Sequence, residues 1–165
     1  MLDLRDLRRL KVFADLSEEQ SVFIAGQIEQ LGFRPNQIIV KEHAVGDCMY
    51  ILSDGAVRVT KTAEGREIML ATLEAGEFFG EMCLFYEAPR SADVIANCEC
   101  KLLKITRQGF DALLQQRPDI CALFLRAVIR VVAMRLRSMD KKYADSMLSS
   151  RFYTHQRQSS EFKLE

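Results

Sequence analysis

The middle of this chain sets the strongest limit on its fold. Between Ile38 and Ile105 the apolar residues come in short bursts: QIIVKE, CMYILS, AVRVTK, REIMLATL, SADVIA and CKLLKIT. Some bursts alternate apolar with polar and others are continuous, as strands do. Turn-forming triplets separate them: Val45-Gly46-Asp47, Ser53-Asp54-Gly55, Ala63-Glu64-Gly65 and Glu74-Ala75-Gly76. Strands at roughly 8–12-residue spacing with glycine at the turns specify an all-β sandwich or barrel. Within this region KTAEGRE reads as a hairpin, with Gly65 in a left-handed position.

On either side the period is helical. Residues 2–31 read as helix, with Leu2, Leu4, Leu7 and Leu10 at near-helical spacing. Ser17 followed by Glu18, Glu19 and Gln20 is a helix start, and Val22, Phe23, Ile24 and Ile28 supply an apolar face. GFRPNQ at 32–37 breaks that helix. After Thr106, residues 107–115 form a short helix that ends near Pro118, and Asp119 is expected to cap the next one. From Ile120 to Leu148 there is neither proline nor glycine. That helix is apolar nearly all round as far as Leu136, so it must cover something on two sides. Ile120, Phe124, Ala127, Val131 and Met134 form a coiled-coil-like seam that suits a second subunit; burial within one domain is the alternative. Residues 149–165 are polar and expected to be frayed or disordered, and Leu164-Glu165 reads as a cloning remnant.

Composition excludes several function classes. The 23 Lys plus Arg balance 23 Asp plus Glu, so no basic field points to nucleic acid and no polybasic run to an anionic membrane. No apolar stretch reaches membrane-spanning length, and the charged N-terminus lacks a signal-peptide core. The expected location is therefore the cytoplasm. Five cysteines, mostly within apolar runs, fit buried thiols in a reducing compartment. Cys98 and Cys100 with only two histidines make a weak metal set, so no metal and no cofactor are expected. No Ser/His/Asp set, P-loop or metal-ligand spacing supports an enzyme.

The chemistry concentrates in FFGEMCLFYEAPRSADV, residues 78–94. A strand turns into a very short helix with Gly80 at its mouth, and a helix N-terminus offers unpaired N–H groups to an anion. Arg90, fixed behind Pro89, brings a guanidinium fork suited to phosphate. Ser91 adds a hydroxyl and Ala92 allows close approach to the backbone. Glu81 is unhelpful to a phosphate but would accept hydrogen bonds from sugar hydroxyls. Together these residues read as a nucleotide site; the competing reading is that Glu81 and Arg90 pair with each other.

Phe79-Gly80-Glu81-Met82-Cys83-Leu84 followed by Pro89-Arg90-Ser91-Ala92-Asp93-Val94 resembles the phosphate-binding cassette of the cyclic nucleotide-binding domain family. GDCMYILSDGAVRV at 46–59 resembles the strand pair of that family, and the likeness covers roughly residues 6–140. The family includes catabolite activators, protein kinase regulatory subunits and nucleotide-gated channels. The resemblance implies an α+β fold: a jelly-roll-like β-roll of about eight antiparallel strands with N-terminal helices, a short cassette helix and a long C-terminal helix. It implies a domain over 1–148, with the roll at about 36–106 and C-terminal helices at about 107–148, and a tail over 149–165. By motif, Glu81 would accept the ribose 2′-OH and Arg90 would neutralise the cyclic phosphate. Gly80, the amides of Met82, Cys83 and Ala92, and the Ser91 hydroxyl would complete the cradle. Val59 and Leu70 would line the inner wall of the roll, with plain core as their alternative, and Arg135 on the long helix, ahead of Arg137 and Ser138, would cap the base, with a solvated helix face as the alternative. Asp93 departs from the Thr, Ser or aromatic residue of many relatives, and its expected place is the rim or a water. Cys83 replaces a common alanine.

The implied function is a non-catalytic module that binds a 3′,5′-cyclic purine nucleotide, cAMP rather than cGMP. It would relay binding through the C-terminal helix of a homodimer. Two alternatives compete. Only about 20 residues follow the long helix and they carry no DNA-reading pattern, so this chain alone is not expected to bind DNA, though it could be the sensor half of a transcription regulator. Or it could be a family member that senses another small ligand.

Overall fold

The computed structural model describes the backbone of residues 4–161 and the side chains of residues 4–147. Leu2 of the predicted first helix and the Leu164-Glu165 pair lie outside the described residues. Contact density divides the chain after Leu125. Residues 4–125 hold the helices and strands up to the start of the long helix, and residues 126–161 continue that helix alone.

Two short helices open the chain, α1 at Leu4–Arg9 and α2 at Glu18–Ala25. The predicted start of α2 is a full capping box. The Gln20 amide donates to Ser17 Oγ at 3.2 Å, and the Ser17 amide donates to Gln20 Oε1 at 2.9 Å. Helix does not extend to residue 31 as the sequence suggested. Gly26 ends α2, and β1 runs over Glu29–Phe33. This strand is a sheet edge and largely exposed, so it carries no apolar alternation. It forms because β8, Cys100–Thr106, offers an antiparallel partner, with Glu29 opposite Lys104 and an ion pair at 3.2 Å between them. The roll therefore begins at residue 29, ahead of the expected 36.

The remaining strands are β2 (Ile38–Val40), β3 (Cys48–Asp54), β4 (Ala56–Ala63), β5 (Arg66–Glu74), β6 (Phe78–Phe79) and β7 (Asp93–Ala96). They form two four-stranded antiparallel sheets, β1-β8-β3-β6 and β2-β7-β4-β5. The predicted β4–β5 hairpin turns at Glu64 and Gly65, both with positive φ, which matches the right-handed twist of its strands. One core cluster joins the sheets: Leu52, Phe79, Cys100 and Leu102 face Val40, Val57, Leu73, Val94 and Ala96. This is the β-roll expected from the sequence.

The cassette helix α3 is one turn long, Met82–Phe85. Helix α4 spans Arg107–Gln116, with Thr106 Oγ1 accepting from the Gly109 amide at 3.0 Å. Helix α5 starts at Pro118, where a missing N–H is no loss. Asp119 therefore lies inside the helix and is not its cap; its carboxylate takes Arg117 and Gln20 instead. Backbone helix continues to Glu161, through most of the expected tail, because no proline or glycine follows Pro118. The start of α5 closes a second core. Phe124 stacks on Phe13 at 5.9 Å and meets Phe110 at 6.2 Å, and Leu7, Ile24 and Ile120 are buried.

The predicted seam on α5 divides. Ile120 and Phe124 are buried within the first body, so they do not face a partner. Further along, Met134 is 66% exposed. The exposed apolar side chains of residues 126–147 include Ile129, Val132, Leu136, Met139 and Tyr143, a different stripe at alternating three- and four-residue steps. Mixed burial of the two stripes is invisible in a sequence that is apolar nearly all round.

Candidate functional site

The site is built where β6 ends and α3 begins. Phe78 and Phe79 are buried against β3, opposite Ile51 and Tyr50, so the strand cannot slide. Gly80 then turns the chain with φ at +76°, a left-handed conformation that glycine adopts without strain. A Cβ on Gly80 would run into Arg90 Nη1. A Cβ on Gly46, from the turn before β3, would meet both Cys83 Sγ and Arg90 Nε. Two glycines thus leave room for one guanidinium.

Arg90 is only 7% exposed. Its Nη1 donates to the Gly80 carbonyl at 3.3 Å and its Nη2 to Cys48 Sγ at 3.2 Å. Among the described residues no ion pair joins Arg90 to Glu81 or to any other acid, so the simple acid–base pairing does not form. Burial first, then a hydrogen bond with Cys48, pushes the Tyr50 phenol up, so it stays protonated beside the thiol. Tyr50 also stacks on Phe79 at 5.3 Å. The main chain of Arg90 is pinned as well: its amide donates to the Ala44 carbonyl and its carbonyl accepts from the His43 amide, each at 2.9 Å.

Arg107, the first residue of α4, ties the cassette helix to the helices beyond. Its Nε and Nη2 donate to the Cys83 carbonyl at 2.9 and 2.6 Å, and Nη2 also donates to the Tyr86 carbonyl at 2.9 Å. These are carbonyls that a one-turn helix leaves without partners. Phe85 of α3 packs edge-on against Phe110 of α4 at 5.7 Å. An unbroken aromatic line therefore runs from α3 through α4 to Phe124 of α5.

A family model described as the cyclic nucleotide-binding domain matches residues 30–117, more than half of the chain. The chain belongs to the cyclic nucleotide-binding domain family. It is 38% identical over 108 residues to a cGMP-dependent protein kinase of Toxoplasma gondii, covering 66% of this chain and 10% of that protein. It is 27% identical over 142 residues to a cAMP-dependent protein kinase regulatory subunit of Schizosaccharomyces pombe, covering 86% and 32%. A solved N-terminal domain of a transcriptional regulator from Streptomyces coelicolor superposes with a TM-score of 0.69 at 32% identity, covering 81% and 94%. The chain thus spans a third or less of the two kinase-related proteins.

In this cyclic nucleotide-binding domain the structure gathers Gly80, Glu81, Met82, Cys83, Arg90, Ser91 and Ala92 around one turn. Glu81 is half-buried at the mouth of α3, Met82 and Ser91 are exposed, and Ala92 is buried. The Cys83 amide already donates to the Gly80 carbonyl at 3.2 Å. Val59 packs against the core between the sheets. Leu70 is 49% exposed, at the bulge where β5 carries one residue more than β4. Arg135 belongs to residues 126–161.

Asp93 is neither at a rim nor facing water. It is buried, and its carboxylate accepts from Lys41 Nζ at 2.9 Å and from the Glu42 amide at 2.6 Å. Those bonds hold its carboxyl below the usual carboxylate range, the Glu42 amide most of all and then Lys41. Sequence reasoning missed Gly46, Cys48 and Arg107 as parts of the site. Gly46 and Cys48 lie inside the GDCMY segment and could have been picked out there; Arg107 carries no local signal. Among the described residues no cluster of His, Cys, Asp and Glu could hold a metal, and no helix is long and apolar enough to cross a membrane. Cys98 is exposed and Cys100 buried, with Cys100 Sγ donating to the Cys98 carbonyl at 3.3 Å.

Proposed function

We propose that this domain binds a 3′,5′-cyclic purine nucleotide without turning it over, and that cAMP is preferred to cGMP. The observation that carries the reading is Arg90: a buried guanidinium between two glycines, bonded to a carbonyl and a thiol rather than to a carboxylate. A buried cation without an anion is costly, and a compact phosphate monoanion would supply the missing charge. Glu81 would accept the ribose 2′-OH, and Gly80, Met82, Cys83, Ser91 and Ala92 would line the cradle. Val59 and Leu70 would touch the sugar and base from the roll. Relatives named for cAMP and for cGMP both match, and the likeness to one cAMP-dependent kinase regulatory subunit extends over 86% of this chain against 66% for a cGMP-dependent kinase.

The output would travel through α4 and α5. Arg107 and the Phe85–Phe110–Phe124 line couple the cassette helix to the start of α5, so a shift of α3 has a packed route outward. Pairing of two copies through the exposed stripe of Ile129, Val132, Leu136 and Met139 would carry it to a second subunit. The match to an N-terminal domain of a transcriptional regulator supports a second reading, in which this sensor works within a longer protein.

Calorimetric titration with cAMP and cGMP tests the first reading. The native chain should bind cAMP more tightly. Arg90→Leu should lose about 1.5–3 kcal/mol, roughly 10- to 150-fold in Kd. Equal affinity in both proteins would reject the phosphate role.

A further inference from the structure

We propose that Asp93 is a positioning residue for Arg90. It works through the loop segment Lys41–Gly46 and does not touch the ligand itself. The proposal rests on the nucleotide reading above and adds to it the part that fixes the guanidinium.

The geometry is a clamp on one backbone. Asp93 opens β7 and is 6% exposed. Strand alternation separates it from the proposed ligand wall: Val94 and its cross-strand neighbour Val59 point to the core, so Asp93 and its neighbour Thr60 point to the opposite face. From there its two carboxylate oxygens hold Lys41 Nζ and the Glu42 amide. The next two residues, His43 and Ala44, make the pair of main-chain bonds that fix Arg90, and Val45 bridges to Pro89. Gly46 then closes on the guanidinium itself. One short segment therefore begins at the Asp93 carboxylate and ends at the Arg90 side chain.

The segment needs an anchor. His43 has φ at +66°, a left-handed conformation that a residue with a Cβ keeps only when its surroundings impose it. Beside it, the Glu42 side chain is only 7% exposed. One carboxylate oxygen accepts from the Thr62 amide at 3.3 Å, while the other faces Lys61 Nζ and His43 Nε2, each at 3.5 Å, without a hydrogen bond. Thr60 Oγ1, buried on the same face, also has no hydrogen-bond partner among the described residues. Asp93 is thus the acid on this face whose bonds are short and complete. Asp93 is in this chain the fixed end of the Arg90 support.

Two measurements test this, one without ligand. In the nucleotide-free protein, amide hydrogen exchange at His43 and Arg90 should quicken about tenfold or more in Asp93→Ala, with Asp93→Asn between it and the native chain. Unchanged exchange would overturn the clamp. In cAMP titrations, Asp93→Ala should weaken binding about tenfold, and should add less than about twofold in an Arg90→Leu background. Equal losses in both backgrounds would mean that Asp93 serves general stability and not Arg90, and would reject the proposal. Should Asp93→Ala not fold, Lys41→Gln removes the exposed end of the same pair. A loss of about two- to threefold confined to the Arg90 background is then expected, and no loss would count against the clamp. If the native chain binds neither cAMP nor cGMP, the nucleotide reading fails by itself, and the exchange experiment still decides the clamp.

Discussion

Two arginines divide the labour of this domain. Arg117, at the junction of α2 and α5, is wrapped in acid: Asp119 holds it by two oxygens at 3.0 and 2.9 Å, Glu19 adds a contact at 3.2 Å, and its guanidinium lies over the Phe23 ring at 5.4 Å. Arg90 is the more deeply buried of the two, yet its bonds go to a carbonyl and a thiol. The first arrangement is complete and joins two helices. The second keeps charge in reserve. A guanidinium already satisfied by carboxylates has little to offer an outside anion, whereas one placed in a glycine-lined niche without an acid is poised to accept one.

Exchanging the two losses gives the largest effect. Arg90→Leu should cut cyclic nucleotide affinity by about 10- to 150-fold, yet leave the melting temperature of the free protein unchanged or slightly higher, because an uncompensated buried charge has gone. Arg117→Leu should do the reverse, lowering the melting temperature and leaving affinity unchanged. Calorimetric titration beside thermal unfolding of both variants reads this directly. A fall in melting temperature for Arg90→Leu with unaltered binding would erase the distinction. Next in size is Gly80→Ala. It forces a left-handed residue to carry a Cβ aimed at Arg90 Nη1, so about 1–3 kcal/mol of stability should be lost together with nucleotide affinity. Normal binding by that variant would show that the niche is not needed.

Much of this was legible beforehand, for identifiable reasons. The roll announced itself because its strands are short and glycine marks their turns, and the Glu64–Gly65 turn demands a left-handed pair that few sequences supply. Ser17 and Gln20 are three residues apart, so their reciprocal cap is a local fact that a local reading can find. By contrast β1 exists through its partner β8, some 70 residues away, and its polar, exposed residues look like the end of a helix. Asp93 and Lys41 are likewise joined only by the fold, and so is Arg107 to the Cys83 carbonyl. The motif picked out Arg90 as a candidate ligand-binding residue. It could not show what holds Arg90, because those bonds come from segments remote in sequence. Ser17→Ala sharpens the point about local features: it should cost about 1 kcal/mol in chemical denaturation and leave nucleotide affinity as it was.

The smallest expected effect is also the cleanest probe of the acid-wrapped arginine. The carboxyl of Asp119 is held well below the usual carboxylate range, first by Arg117 and then by Gln20. A carboxyl depressed in the folded state favours folding once the unfolded chain would be ionised, that is above about pH 4. That contribution fades as pH falls from there toward the lower folded value. Asp119→Asn cannot ionise, so it lacks the contribution at every pH. Native and variant melting temperatures should therefore differ by a constant amount between about pH 5 and 8 and converge below about pH 4. The comparison must be made by difference, since Asp93 is depressed too and also weakens the fold in acid. Among the described residues Arg90 has no carboxylate partner, so Arg90→Leu should show no such convergence. A pH-independent gap for Asp119→Asn would mean that its bond to Arg117 holds nothing in solution, and the contrast between the two arginines would then rest on Arg90 alone.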